Sequence, residues 1–321
     1  MTLLPIREDV VAAAERIAGH VIRTPLLETK IRGMRVWLKC ENLQIGGAFK
    51  LRGASNRLLQ LDAEERSRGV VAFSSGNHAQ GVAIAARRLG IPAMIVMPSD
   101  APGLKVEGTR AEGAETVFYD RATQDRVAIA TEIAARRGAT LVPSFDDLDI
   151  VAGQGTVGLE ILEQMPEPPR RSGVPTGGGG LAAGIALACP EASITCVEPE
   201  GWDDMGRSLA AGLIVPVEPD APPTLCDSLQ TLRVSPITFG VLSAREAGAV
   251  SVREAEVKEA VRFAWRELEL VIEPGGAVAL AALLSGRVPA DDGTVAVLSG
   301  GNIDPAVHAG IVADQLAADV R

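Results

Sequence analysis

The sequence predicts an α/β protein with an open parallel sheet, in which a smaller lobe is inserted between two parts of a larger one. Of the 321 residues 47% are apolar but only 3% aromatic. The core is therefore Ala, Val, Leu and Ile, the set that fills parallel sheets covered by helices. Short β-rich runs alternate with helical ones in the βαβ rhythm. The length exceeds one small core and suits two lobes.

Taken in order, "MTLLPIREDVVAAAERIAGH" has charges inside its apolar stretch and reads as an amphipathic helix, not a secretory signal. "RVWLK" is a strand, "SNRLLQLDAEERSRG" helical, "VVAFSS" a strand, "HAQGVAIAARRLG" a helix, "AMIVMPS" a strand, "LKVEGTRAEG" a helix, "ETVFYD" a strand and "RVAIATEIAARRG" a helix. Glycine closes several of these helices. Residues 163–176, "EQMPEPPRRSGVPT", are Pro-rich and polar and read as a surface connection. A second series follows: "SITCVE", the long helix "VREAEVKEAVRFAWRELEL" and a last strand "TVAVLS". The first series is self-contained, so 69–146 is expected as the small, substrate-gripping lobe and 1–68 with 147–321 as the large, cofactor-binding one. Clefts between such lobes are where small molecules bind.

The formal net charge of −10 and the lack of any basic run argue against nucleic acid or an anionic membrane as partner. No stretch approaches the roughly 18 uncharged residues of a membrane span, and the protein is expected in the cytoplasm. Cys40, Cys189, Cys196 and Cys226 stand far apart, with no metal-finger spacing, and are expected as buried free thiols. The histidines, His20, His78 and His308, are too scattered for a local metal cluster.

Four glycine-rich loops each stand at a strand end or a helix start. "PTGGGGLAAG" places Gly177, Gly178, Gly179 and Gly180 before an Ala/Leu helix. Backbone amides can converge there without Cβ obstruction, and the helix N-terminus adds about half a positive charge, which together make an anion cup suited to phosphate. Two other readings stay open: a flexible linker, and a dinucleotide fold in which Gly178, Gly180 and Ala183 supply the glycine spacing and Glu198 ends a strand about twenty residues on. "SSGNHAQG" crowds Ser74, Ser75, Asn77 and His78 at another helix start, a place to hold a carboxylate. "EPGGAVALAAL" and "LSGGNID" complete the set. Four such loops point to one site at one edge of the sheet.

The motifs "ENLQIGGAFKLRGA", "SSGNHAQGVA", "AGQGT" at 152–156, "PTGGGGLAAG", "EPGGAVALAA" and "SGGNID", in this order over nearly the whole chain, resemble the pyridoxal-phosphate-dependent threonine/serine dehydratases and serine racemases of the tryptophan-synthase β-like fold type II. The resemblance implies two open twisted parallel-rich sheets covered by helices, and pyridoxal 5'-phosphate as cofactor. Lys50 matches the lysine that joins the cofactor aldehyde and then serves as base, with Phe49 beside it. Asn77 matches the partner of the ring hydroxyl, Gly177 to Gly180 the phosphate loop and Ser299 the partner of the ring nitrogen. A hydroxyl cannot hold that nitrogen protonated as a carboxylate does, which favours prompt loss of a β-leaving group. Ser74, Ser75, Asn77 and His78 match the grip on the substrate carboxylate. Ser75 also matches the serine that exchanges a proton on the opposite face of Cα in racemases.

The implied reaction is loss of water from L-threonine, L-serine or 3-hydroxyaspartate to give a 2-oxo acid and ammonia, with serine or aspartate racemisation as the alternative on the same scaffold. A nicotinamide-dependent oxidoreductase and a catalytically silent relative that binds an amino acid are the remaining rivals. "VEPEGWDD" resembles the family's cation segment, implying Glu198, the Trp202 carbonyl and Asp204 around magnesium, manganese or calcium; two surface acids after a strand are the plainer alternative. A homodimer is implied as well. The chain departs from the common pattern at Ile45 and Gly46, at Ala48 and at Ser228, and the substrate is open. Arg121 and Arg126 are the cations of the small lobe available to a second carboxylate.

Overall fold

The computed structural model describes residues 3–74, 76–101 and 103–313. The amphipathic start is α1 (Arg7–Arg16), and the chain then enters a sheet through the hairpin of β1 (Leu26–Ile31) and β2 (Met34–Cys40). Its register, Ile31 opposite Met34, leaves Arg32 and Gly33 as a two-residue loop with φ of 54° and 80°, the turn whose twist matches that of its strands. Next come α2 (Lys50–Leu59), α3 (Ala63–Arg68), β3 (Val70–Phe73), α4 (Asn77–Leu89), β4 (Ala93–Pro98), α5 (Gly103–Ala111), β5 (Glu115–Tyr119), α6 (Arg126–Arg137) and β6 (Thr140–Leu141). The rest is α7 (Leu148–Gln164), β7 (Arg171–Pro175), α8 (Gly180–Ala188), β8 (Ser193–Pro199), α9 (Asp204–Ala211), α10 (Pro236–Ala244), β9 (Gly248–Val252), α11 (Glu254–Leu268), α12 (Pro274–Ser285), β10 (Thr294–Leu298) and α13 (Pro305–Ala313).

Two sheets result, in the orders β1-β2-β10-β7-β8-β9 and β5-β4-β3-β6. The first is parallel except for the β1–β2 hairpin. The second is parallel throughout. Alternation along each strand divides the core. In β10, Val295 and Val297 face the layer of α1, α7, α8 and α10, whereas Ala296 and Leu298 face α11 and α12. In the smaller sheet Val70 and Ala72 pack toward α2 and α4, and Val71 toward α6.

The stretch 163–176 corrects one expectation. Its first part ends α7 and turns, but Arg171–Pro175 is a central strand between β10 and β8, with Ser172 to Pro175 buried. A strand walled by helices on both faces carries no polar alternation, and in "RSGVP" the small residues hide the apolar run as well. This also accounts for the glycine loop, which follows the strand directly.

The motif "AGQGT" lies inside α7 and holds two helices at close range. A Cβ on Gly153 would stand 2.6 Å from the Gly53 Cα of α2, and one on Gly184 of α8 would stand 2.4 Å from the Gly155 nitrogen. Gln154 adds a bond, its Oε1 accepting the Gly53 amide at 3.2 Å. One helix therefore fixes both the helix that begins at Lys50 and the helix behind the four glycines.

Candidate active site

In both parallel sheets the motif loops leave the carboxyl ends of strands, where ligands of open α/β sheets bind. Ser74 follows β3, Thr176 follows β7 and Ser299 follows β10.

Lys50 is the first residue of α2. The loop before it is stitched to the one after β10: Phe49 donates its amide to the Ser299 carbonyl at 3.2 Å, Gly301 donates to Gly47 at 2.8 Å, and Ala48 forms a bridge with Gly300. Gly46 and Gly47 have φ of 78° and 72°, and a Cβ on Gly47 would collide with the Asn302 amide at 2.2 Å, so this approach needs glycine. The Lys50 ammonium donates to the Ser144 carbonyl at 2.9 Å and lies 5.1 Å from the centre of the Phe49 ring. No described carboxylate pairs with it. Burial pushes its pKa down to about 8, since an ammonium loses hydration there without a counter-ion.

Asn77 opens α4 with its amide pinned at both ends. Its Nδ2 donates to Glu273 Oε1 at 2.5 Å, and its Oδ1 accepts from Asn302 Nδ2 at 2.8 Å. Asn302 also donates to the Gly46 carbonyl and to Gln80. Glu273 is buried just before α12; burial, then Asp227, raises its pKa to about 7. Neither Glu273 nor Asn302 was read as a site residue from sequence. The signal for both was their place in the motifs "EPGGAV" and "SGGNID". Ser228 lies beside Glu273, and it fits because residue 275 is glycine: a Cβ there would stand 2.1 Å from the Ser228 hydroxyl.

The four glycines enter α8 with Gly179 as its cap at φ 86°. Every one is walled: a Cβ on Gly177 would lie 3.1 Å from Leu229, on Gly178 2.3 Å from the Phe145 ring, on Gly179 2.5 Å from Met205 and on Gly180 3.1 Å from Phe145. This is a tight turn whose backbone is its only surface, not a flexible linker. The dinucleotide alternative fails at Glu198. That carboxylate is buried and accepts the amides of Met205 at 2.8 Å and Gly206 at 2.9 Å, turned away from any ribose.

His78 is buried, and its Nε2 pairs with the Val142 carbonyl at 2.9 Å. Burial, with Lys50 nearby, pushes its pKa down to about 3. The imidazole is neutral, so it cannot attract a carboxylate by charge. What α4 offers an anion is its first-turn amides, which no helix can bond internally. Ser74 stands at the entrance, its Oγ accepting the Gly76 amide at 3.2 Å. Ser75 lies outside the described residues. Ser299 is buried at 4% exposure, one residue past β10.

The cation segment is buried, contrary to two plain surface acids. Glu198 is the penultimate residue of β8 and Asp204 begins α9, exposed by 0% and 1%, and both Asp204 oxygens lack a partner. Burial raises both pKa values, to about 8 for Glu198 and about 7 for Asp204. Trp202 turns between them, its amide donating to the Pro199 carbonyl at 3.0 Å. The four cysteines are free and buried, as expected. Among the described residues no helix is long and apolar enough to cross a membrane.

This donor set fits pyridoxal phosphate: an amine with lowered pKa and no counter-charge, a side-chain-free turn at a helix N-terminus, and a fixed amide beside them. Comparison with known proteins agrees. The chain is 44% identical over 313 residues to an L-threo-3-hydroxyaspartate ammonia-lyase of Pseudomonas sp, covering 95% of this chain and 97% of that one. It is 39% identical to an L-threo-3-hydroxyaspartate ammonia-lyase of Saccharomyces cerevisiae, covering 97% of each. Among solved structures, that of maize serine racemase superposes with a TM-score of 0.90 at 34% identity, covering 99% of this chain and 100% of that one. Residues 17–300 match the family described as pyridoxal-phosphate dependent enzyme, and the chain belongs to that family.

Proposed function

We propose that this protein is a pyridoxal-phosphate-dependent ammonia-lyase that removes water from a 3-hydroxy amino acid, L-threonine, L-serine or 3-hydroxyaspartate, releasing a 2-oxo acid and ammonia. The observation that carries it is Lys50, an amine with pKa near 8 and no carboxylate partner, held between the loop after β10 and the Ser144 carbonyl after β6. When bound, the cofactor supplies an electron sink next to Cα. Lys50 then works as a base: the neutral amine takes the Cα proton and holds it as ammonium against the Ser144 carbonyl. Gly177 to Gly180 hold the phosphate with backbone amides, Asn77 the ring hydroxyl and Ser299 the ring nitrogen. Ser74, Ser75, the Asn77 amide group and the backbone of His78 hold the substrate carboxylate at the start of α4.

Racemisation at the same Cα is the second reading, with Ser75 as the proposed proton exchanger on the opposite face, and it is favoured by the likeness to maize serine racemase. Glu198, Asp204 and the Trp202 carbonyl hold magnesium, manganese or calcium in this proposal, supported by the two buried Asp204 oxygens without partners. Such a cation would offset the burial that now raises both carboxyls. The lobes are 1–68 with 147–321 and 69–146, and the working form is a cytoplasmic homodimer.

The test is an ammonia-release screen over both enantiomers of serine, threonine and 3-hydroxyaspartate, run with magnesium and with a chelator, and with chiral analysis of recovered substrate. Ammonia from at least one L-3-hydroxy amino acid, at a rate reduced by the chelator, is expected. Inverted substrate without ammonia would move the assignment to the racemase. A holoenzyme inert to the whole panel would leave only a binding role.

A further inference from the structure

We infer that Lys105 receives the second, side-chain carboxylate of a dicarboxylic 3-hydroxy amino acid and so tilts the site toward such substrates over serine and threonine. The inference rests on the preceding reading, in which the α-carboxylate sits at the start of α4. Lys105 lies in the first turn of α5 with its side chain 19% exposed, and its ammonium pairs with Asp227, which opens the 3-10 turn Asp227–Leu229 beside the glycine loop. This ion pair joins the part of the chain that carries the smaller sheet to the part that carries the larger one. Lys105 also leans over the substrate loop: a Cβ on Gly76 would stand 3.8 Å from its Nζ. Its charge reaches Glu273, the partner of Asn77. The ammonium is thus close both to the α-carboxylate grip and to the group that holds Asn77.

The cations named from sequence are placed less well. Arg121 pairs with Asp100, both on the exterior, with side chains 48% and 65% exposed. Arg126 opens α6 at the same carboxyl edge but on the sheet face opposite α4, whereas it is Lys105 that reaches both Gly76 and Asp227. At Lys105, by contrast, a carboxylate ligand needs no new cation to be buried. Asp227 is 49% exposed and can return to water when a substrate carboxylate takes its place, so one charge pair replaces another. A substrate with a single carboxylate leaves the Lys105–Asp227 pair closed.

The experiment compares L-aspartate, which has the second carboxylate but no hydroxyl to lose, with L-alanine by titration calorimetry on the holoenzyme. In parallel, kcat/KM is measured for 3-hydroxyaspartate and for serine. The wild type is expected to prefer the dicarboxylate in both pairs. Lys105→Gln should cut each preference by about 30-fold, the scale of one lost charge-assisted contact, and Lys105→Arg should keep most of it. A preference untouched by Lys105→Gln, or abolished by Arg126→Gln alone, overturns the inference. Loss of the aspartate preference in Lys105→Gln in a protein that releases no ammonia upholds it and removes the proposed reaction instead. A wild type that binds aspartate no better than alanine refutes Lys105 and leaves the reaction standing.

Discussion

Lys50 has its ammonium against a carbonyl and an aromatic ring rather than against a carboxylate, and that choice of neighbours sets its chemistry. A buried lysine beside an aspartate would stay charged; beside neutral groups it is a weak acid with a pKa of about 8, down from 10.5. Because the neutral amine is the nucleophile, loading of stripped protein with cofactor should speed up about tenfold between pH 7 and pH 9 and then level off. Stopped-flow growth of the cofactor band against pH checks this. A rate still climbing toward pH 10.5 would mean an ordinary hydrated lysine. The sequence showed this residue and its motif plainly, but not its neighbours. Glu273 and Asn302 lie 196 and 225 residues from Asn77 in the chain, and no local pattern says that a carboxylate and an amide will clamp it. His78 shows the reverse: its position in the loop was legible, whereas the bond to Val142 that leaves it neutral depends on where the smaller sheet puts a carbonyl.

At the scale of elements, α2 is held from behind by a buried charge cluster. Arg52 donates to both oxygens of Glu41, at 2.8 Å each, and to both oxygens of Glu160, at 2.6 and 2.9 Å. Lys39 donates to Glu160 at 2.6 Å, to the Thr24 carbonyl and to Gln164. Two cations thus meet two carboxylates. Burial alone would raise the Glu160 carboxyl, but Arg52 and Lys39 overcome it and hold its pKa below the usual range. Removing the guanidinium leaves the fully buried Glu41 without a cation and Glu160 with Lys39 alone, so Arg52→Ala should cost about 3–5 kcal/mol in denaturant unfolding. A loss under about 1 kcal/mol would show that the cluster does not anchor the helix. From sequence Arg52 was one letter of a motif, since an arginine two residues past a site lysine looks like any solvated cation. Strand β7 was hidden for a related reason. Helices cover both of its faces, so it has no polar alternation, and its short, small residues carry no apolar run to read either. Amphipathic elements such as α4 and α11 were legible because one face of each differs from the other, and β10, buried on both faces, was legible as a short Val-rich apolar run.

At the scale of the molecule, the site exists because the carboxyl ends of two parallel sheets converge. The helix that starts at Lys50 packs on α4 beside the smaller sheet, while its crossing with α7 ties it to the larger one. Lys50 therefore sits where the two halves meet, between the start of α4, proposed to grip the carboxylate, and the turn before α8, proposed to hold the phosphate. The parallel order was foreseeable from the βαβ rhythm; the meeting of the two edges was not, because it depends on glycines that read locally as turns but act as helix crossings. The proposed function requires one covalent link at this junction, and borohydride reduction of the holoenzyme followed by peptide mass analysis tests it directly. One pyridoxyl-phosphate mass on the peptide that contains Lys50, and none in Lys50→Ala, is the predicted result. A label on another lysine, or no label on the wild-type chain, would contradict it.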